Sequence, residues 1–387
     1  MTATESVYWD PFDTVIDADP YDIWRRLRDE APLYRNEQYN FWALSRYADV
    51  ESAHRDPASF CSSHGTVLEI MTPDAIPTGM MIFQDPPEHT RLRTMVSRAF
   101  TPRRVSALEM HIRDLCDELL APWCDGADFD FVADFGAVLP SMVICELMGV
   151  PASDRKWVKE TIDTTFHLEP GVGMINDVSF AAQIELDSYL SKLLEERTAA
   201  PGDDLLSGLT ECDLTLRESA DFANLLISAG TETVARLLGW AAVVLDEYAD
   251  QRAELAGDAT LLPNAVEELL RYEAPSPVQG RWSTRTVEFY GTEVPAGSKV
   301  LLLTGSAGRD EREYQDADRF DIHRRFNQHV SFGFGIHFCL GAALARLEGR
   351  VALEEALRRH PAWEVDRERA VRLHTSTVRG WSAVPVS

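Results

Sequence analysis

Apolar residues recur at helical spacing over most of the chain, interrupted by one strand-like stretch. Tyr21 to Glu30 and Tyr47 to Arg55 read as short helices. Phe41 to Leu44, Val287 to Tyr290 and Lys299 to Leu303 read as strands, the last two joined around Gly291 and Pro295-Ala296-Gly297. From about Asp56 to Gln84 neither period holds. Gly65, Pro73, Pro77 and Gly79 break it, yet Val67, Leu68, Ile70, Met71, Ile76, Met80, Met81 and Ile82 are too apolar for disorder, so a long loop lining a pocket is expected.

The longest apolar run, about Phe222 to Leu245, has the length of a membrane span, but Asn224, Glu232 and Arg236 lie within it. An ionised group at mid-bilayer costs about 2.5–3.5 kcal/mol even on insertion scales, so a buried helix of a soluble protein is expected. A mid-helix glycine costs about 1 kcal/mol relative to alanine, and threonine hydroxyls that bond back to the preceding turn bend a helix. The helix is therefore expected to deform between Gly230 and Thr233. Leu340, Leu344, Leu347 and Val351 mark the buried face of another helix. With no repeat or low-complexity linker, residues 1–387 read as one mainly helical domain with an N-terminal extension over about 1–18.

Composition narrows the class. The 387 residues carry a net charge of −26, which excludes nucleic acid as a natural partner. No positively charged, apolar leader is present, so a cytoplasmic enzyme is expected. Cys61, Cys116, Cys124, Cys145, Cys212 and Cys339 form neither a CxxC pair nor a regular framework, against both a disulfide scaffold and a zinc ribbon. Between His89 and Arg113 six arginines (Arg91, Arg93, Arg98, Arg103, Arg104, Arg113) face one acid, Glu109. This is either a solvated helix face or a docking patch for an acidic protein.

Ser331-Phe332-Gly333-Phe334-Gly335-Ile336-His337-Phe338-Cys339-Leu340-Gly341 delivers one cysteine to the start of a helix. A buried cysteine is more often packing than chemistry, but packing does not require three glycines and a histidine in one loop. Unpaired N–H groups of the first helical turn favour a thiolate there, and a thiolate suits iron.

The string FGFGIHFCLG resembles the haem-binding loop of the cytochrome P-450 monooxygenases, with Phe332, Gly333, Gly335, His337, Cys339 and Gly341 on the pattern positions. The resemblance extends from about Asp19 to Val386. It implies a mainly α fold with small β-sheets (α+β), a single triangular domain with helical and β-rich lobes. The cofactor would be haem b, with Cys339 its axial iron ligand, and a thiolate there favours O–O cleavage. Ala229-Gly230-Thr231-Glu232-Thr233 is similar to the family's oxygen-binding segment. That likeness makes Glu232 and Thr233 an acid–alcohol pair relaying protons, with Ala229 and Gly230 against the haem.

His89 and Arg93 match the family's HxxxR. With Arg281 and His337 they would meet the haem propionates, although Arg285 competes with Arg281 for that place. Glu268 and Arg271 form the ExxR couple, to which the resemblance adds Arg319 as third member. Pocket walls would come from Val67 to Ile82, Thr164 to Asn176, Ala229 to Thr233, Pro277 to Gln279 and Thr375 to Trp381, with Phe166, His167, Glu169, Gly171 and Gly173 near a lid. Dioxygen and a hydrophobic small molecule would be the substrates. A ferredoxin and its reductase would supply two electrons, docking near Arg91 to Arg113 and the thiolate side of a monomer free of any membrane. Hydroxylation is the expected outcome, with a peroxide-using peroxygenase or a haem-based sensor as alternatives.

Overall fold

The structure, a computed structural model, describes all residues except 1–5, 98–101, 124–127, 167–168, 170–172, 174 and 326–327. Cys124, Arg98, His167 and Gly171, and the side chain of Arg103, lie outside the described residues. Among those described, nine helices carry the argument: α1 (Tyr21–Glu30), α2 (Tyr47–Arg55), α3 (Glu88–Val96), α4 (Glu109–Leu120), α5 (Val138–Leu147), α6 (Asp177–Ala199), α7 (Leu216–Glu247), α8 (Leu262–Tyr272) and α9 (Ala342–Arg359). α1 and α2 begin and end where the apolar spacing predicts.

α7 opens with a capping box. Thr215 Oγ1 accepts from the Glu218 N–H at 3.2 Å, and the Glu218 carboxylate accepts from the Thr215 N–H at 2.7 Å. It then runs 32 residues, longer than the apolar run itself. The helix is unbroken through Gly230 to Thr233. The hydroxyls do bond back, Thr231 to the Ile227 carbonyl at 3.1 Å and Thr233 to the Ala229 carbonyl at 2.9 Å. Around it α4, α5, α8 and α9 bury one continuous core that includes Ile112, Leu139, Leu238, Leu269 and Val351. A Cβ at Gly349 of α9 would sit 3.1 Å from Leu237 Cδ2, so the absence of a side chain sets how closely α9 approaches α7.

The β-rich part contains β1 (Leu33–Asn36), β2 (Phe41–Leu44), β3 (Phe60–Cys61), β4 (Gln279–Ser283), β5 (Val287–Phe289), β6 (Thr292–Val294) and β7 (Lys299–Leu302). One five-stranded sheet has the order β1-β2-β7-β4-β3, with β2 parallel to β7, Phe41 opposite Lys299. The strands at 287 and 299 share no sheet. Tyr290 (φ 55°) and Gly291 (φ 74°) both lie in the left-handed region and close a two-residue hairpin, so β5 pairs with β6 instead. No helix among the described residues is long and apolar enough to cross a membrane.

The 56–84 loop is held at both ends of its apolar stretch. The Gly280 N–H of β4 donates to the Thr66 carbonyl at 2.7 Å, and the Gly79 N–H donates to Asp221 Oδ2 of α7 at 3.1 Å.

Candidate functional site

Between the helical core and the sheet lies a cavity of about 390 Å³, of the size that takes a small ligand. Thr66, Val67, Met81 and Ile82 from the long loop line it, as do Ala229, Gly230 and Thr233 from α7 and Phe332, His337, Cys339 and Gly341 from the cysteine loop. Gln279 and Thr377 contribute as expected. None of the described residues in 164–176 reaches the lining, whereas Ile144, Phe222, Leu225 and Leu226 do. Those four are anonymous apolar helix positions, and nothing in their spacing separates a cavity wall from a core.

The cysteine loop is a tight structure. The Gly333 N–H donates to the Val330 carbonyl at 2.7 Å and the Cys339 N–H to the Phe332 carbonyl at 2.9 Å. Gly335 has φ +67°, and a Cβ there would lie 2.6 Å from the His54 carbonyl oxygen. Burial pushes the Cys339 thiol up; the Gly341 N–H, Arg93, Arg346 and the Ala342 N–H pull the other way without overcoming it. The helix N-terminus alone thus does not make the thiolate that the sequence suggests, and a cationic metal is what would.

One edge of the cavity concentrates positive groups. Arg281 of β4 is buried and donates to its neighbour's carbonyl, Gly280, at 2.7 Å. Arg285 points outward to Ser59 and Asp56, whereas Arg281 lines the cavity. Arg93 of α3 donates to the Phe338 carbonyl at 2.7 Å. Neither Arg93 nor Arg281 forms an ion pair with a carboxylate among the described residues. The rings of His89 and His337 stand 4.2 Å apart, and both His89 nitrogens lack a hydrogen-bond partner among the described residues. Burial, then Arg281, His89, Arg93 and His54, push His337 down to about 2. Burial lowers Arg281 to about 10. Two guanidiniums and buried imidazoles without carboxylate partners call for anionic groups. A flat iron macrocycle bearing two carboxylates fits this donor set, with Cys339 across the cavity floor.

One expectation is corrected. Glu268, fully buried, binds Arg271 (Nε to Oε2 2.6 Å) and Arg324 (Nε to Oε1 3.0 Å), and accepts the Asp321 N–H at 2.9 Å. Arg319 is exposed and contributes only its carbonyl, to Arg271 at 3.2 Å and Arg324 at 2.8 Å. The third member is therefore Arg324, because the turn after Asp316 faces Glu268 with its backbone and the chain must pass Phe320 before an arginine can reach inward. Glu232 does not line the cavity. Its carboxylate is held by Arg236 at 2.7 Å, a buried pair one turn along α7. Thr233 lines the wall alone, its hydroxyl on the Ala229 carbonyl.

The basic segment is also less positive than its sequence. Arg91 pairs with Glu88 and Glu218, and Arg113 with Glu109, Glu354 and Glu355, carboxylates brought in mostly from other helices.

Residues 243–378 match the family model for cytochrome P450. Along 98% of its length the chain is 41% identical to putative cytochrome P450 123 of Mycobacterium tuberculosis, covering 96% of that protein. It is 38% identical to the vitamin D(3) 25-hydroxylase of Pseudonocardia autotrophica, covering all of this chain and 98% of the relative. A mutant of P450 EryK in complex with erythromycin B superposes with a TM-score of 0.87 at 36% identity, over 95% of this chain and 96% of that one. The cavity, its lone cysteine and these likenesses agree: the chain belongs to the cytochrome P450 family, monooxygenases that carry haem b.

Proposed function

We propose that the protein hydroxylates a bulky hydrophobic small molecule, using dioxygen and two electrons from a ferredoxin and its reductase. The observation that carries this reading is one cavity lined by Cys339, by Thr233, and by Arg93 and Arg281, which have no carboxylate partner among the described residues. Cys339 holds the iron; Arg93, Arg281, His89 and His337 hold the propionates. Bound there, haem supplies the reductive activation of dioxygen that places one oxygen atom in the substrate.

The chain's own residues do the rest. Phe222, Leu225, Leu226, Val67 and Ile82 exclude water and hold an apolar ligand, while Thr66, Ser276, Gln279 and Thr377 offer polar atoms that orient it. Thr233 presents its hydroxyl to the oxygen site, and its bond to Ala229 fixes the direction. The apolar lining agrees with relatives named for vitamin D(3) hydroxylation and solved with erythromycin B. Phe338 is 38% exposed and adjoins Cys339, so the docking face for the ferredoxin takes in that thiolate side together with the Arg91 to Arg113 segment, of which Arg91 and Arg113 are already paired with carboxylates, in a cytoplasmic protein.

Optical titration of the haem-loaded protein with hydrophobic compounds, followed by turnover with NADH, a surrogate ferredoxin and its reductase, tests this. A Soret shift and an oxygenated product are expected, lost in Cys339→Ser together with the thiolate-type carbon monoxide spectrum. Product formed only with added peroxide would replace this reading by the peroxygenase one.

A further inference from the structure

His337 is held from behind by a residue that the cysteine loop does not contain. Ser62 follows β3, is 1% exposed and stands outside the cavity lining, and its Oγ lies 3.2 Å from His337 Nε2. One aspartate fixes the backbone from which it projects. The Ser62 N–H donates to Asp85 Oδ1 at 2.8 Å and the Ser63 N–H to Asp85 Oδ2 at 3.2 Å, while the Asp85 carbonyl accepts the His89 N–H at 3.0 Å where α3 begins. Asp85 thus sets the place of Ser62 and of His89, whose ring stands 4.2 Å from that of His337.

The direction of the Ser62 bond follows from its surroundings. His337 Nε2 is the only acceptor that the Ser62 hydroxyl meets among the described residues. A ring that donated to Ser62 would leave a buried hydroxyl hydrogen without a partner, which costs more than the bond returns. The hydroxyl therefore donates, Nε2 spends its lone pair on it, and the ring hydrogen sits on Nδ1. Nδ1 has no hydrogen-bond partner among the described residues, and His337 lines the cavity together with Arg93 and Arg281. In the opposite tautomer Nδ1 would turn a lone pair to an incoming carboxylate and repel it.

We propose that Ser62 is a positioning residue for the cofactor: its bond to Nε2 keeps the His337 hydrogen on Nδ1, the nitrogen that donates to a haem propionate. The inference rests on the propionate placement above. Ser62 touches no part of the haem and acts through His337.

Nitrogen-15 NMR of the ferrous carbon monoxide complex, labelled at histidine, reads the tautomer without turnover. The His337 signals, identified by their loss in His337→Gln, should show the hydrogen on Nδ1 in the wild type and lose that preference in Ser62→Ala. The propionate bending band in the resonance Raman spectrum should shift in Ser62→Ala and return in Ser62→Thr, which keeps the hydroxyl. Haem transfer to apomyoglobin should be about 10–100-fold faster in Ser62→Ala, the range found when the partner that orients a ligating side chain is removed. A hydrogen on Nε2 in the wild type overturns the proposal, and that spectrum decides whether or not Ser62→Ala takes up haem. An unchanged Raman band and transfer rate in Ser62→Ala, where His337→Gln alters both, overturns it as well. If His337→Gln alters neither, the propionate placement itself falls and the proposal with it.

Discussion

Replacing Arg324 by alanine should destabilise the protein far more than replacing Arg319. Arg324 donates to the buried Glu268 carboxylate at 3.0 Å and to the carbonyls of Gln315, Asp316 and Arg319 at 2.6, 3.0 and 2.8 Å. Removing it leaves Glu268 with Arg271 as its only cation among the described residues and takes one donor from each of three carbonyls of the turn that carries Phe320. Breaking a buried ion pair from one side costs on the order of 3–5 kcal/mol. The unfolding entropy of 387 residues is about 0.8 kcal/mol/K, which converts that loss into a Tm lower by about 4–6 °C. Arg319, with an exposed side chain, should change Tm by less than about 1 °C, as surface substitutions do. Circular dichroism melts of the two haem-loaded variants, with haem content measured alongside, decide the matter. Equal losses in both, or an unchanged melt for Arg324→Ala, would refute the reassignment.

Three further outcomes are expected. His54 is buried and pushed down to about 3, by burial and then by Arg281. The unfolded chain binds this proton near pH 6.5 and the folded chain does not, so stability is retained above that pH and falls below it by about 1.4 kcal/mol per unit; urea titrations of haem-free wild type and His54→Gln should differ by that slope. Gly335→Ala forces a Cβ to 2.6 Å from the His54 carbonyl at φ +67°, which should cost about 1–3 kcal/mol and lower haem retention in the Soret band. Asp221→Ala removes the 3.1 Å bond that holds Gly79 against α7, a charge-assisted bond worth about 1.5–3 kcal/mol, so limited proteolysis should cut the 56–84 loop about tenfold faster or more; an unchanged cutting rate would mean the loop is held elsewhere.

What could be read from the sequence is what repeats or punctuates. Periodicity located α1, α2 and β2 to the residue, because each buries one face of a short element against a core that does not bend it. The cysteine loop was legible because a cysteine buried only for packing does not require three glycines and a histidine around it. β4 was missed as a strand because Gly280 weakens its pattern, and the glycine is there because the 66–71 segment packs directly on it, with a Cβ 2.8 Å from Met71 Sδ. Arg319 and Arg324 are equivalent by spacing; only the direction of the turn after Asp316 separates them. Glu232 and Glu348 are likewise both acids on apolar helices, and which one meets the cavity depends on Arg236 reaching back one turn. The pairing of Arg91 and Arg113 was not legible because their counter-charges, Glu218, Glu354 and Glu355, lie far away in sequence.

The parallel pairing of β2 with β7 has a consequence for how a cell makes this protein. β2 waits unpartnered on that edge until Lys299 to Leu302 has been synthesised, and Arg93 waits for Cys339. At about 5–20 residues per second the interval between Arg93 and Cys339 is about 12–50 s, during which the apolar 56–84 segment has no cavity to line. Haem capture is therefore an event on the finished chain. Cultures short of haem should accumulate full-length apoprotein, with chaperones rather than the cofactor guarding the growing N-terminal half.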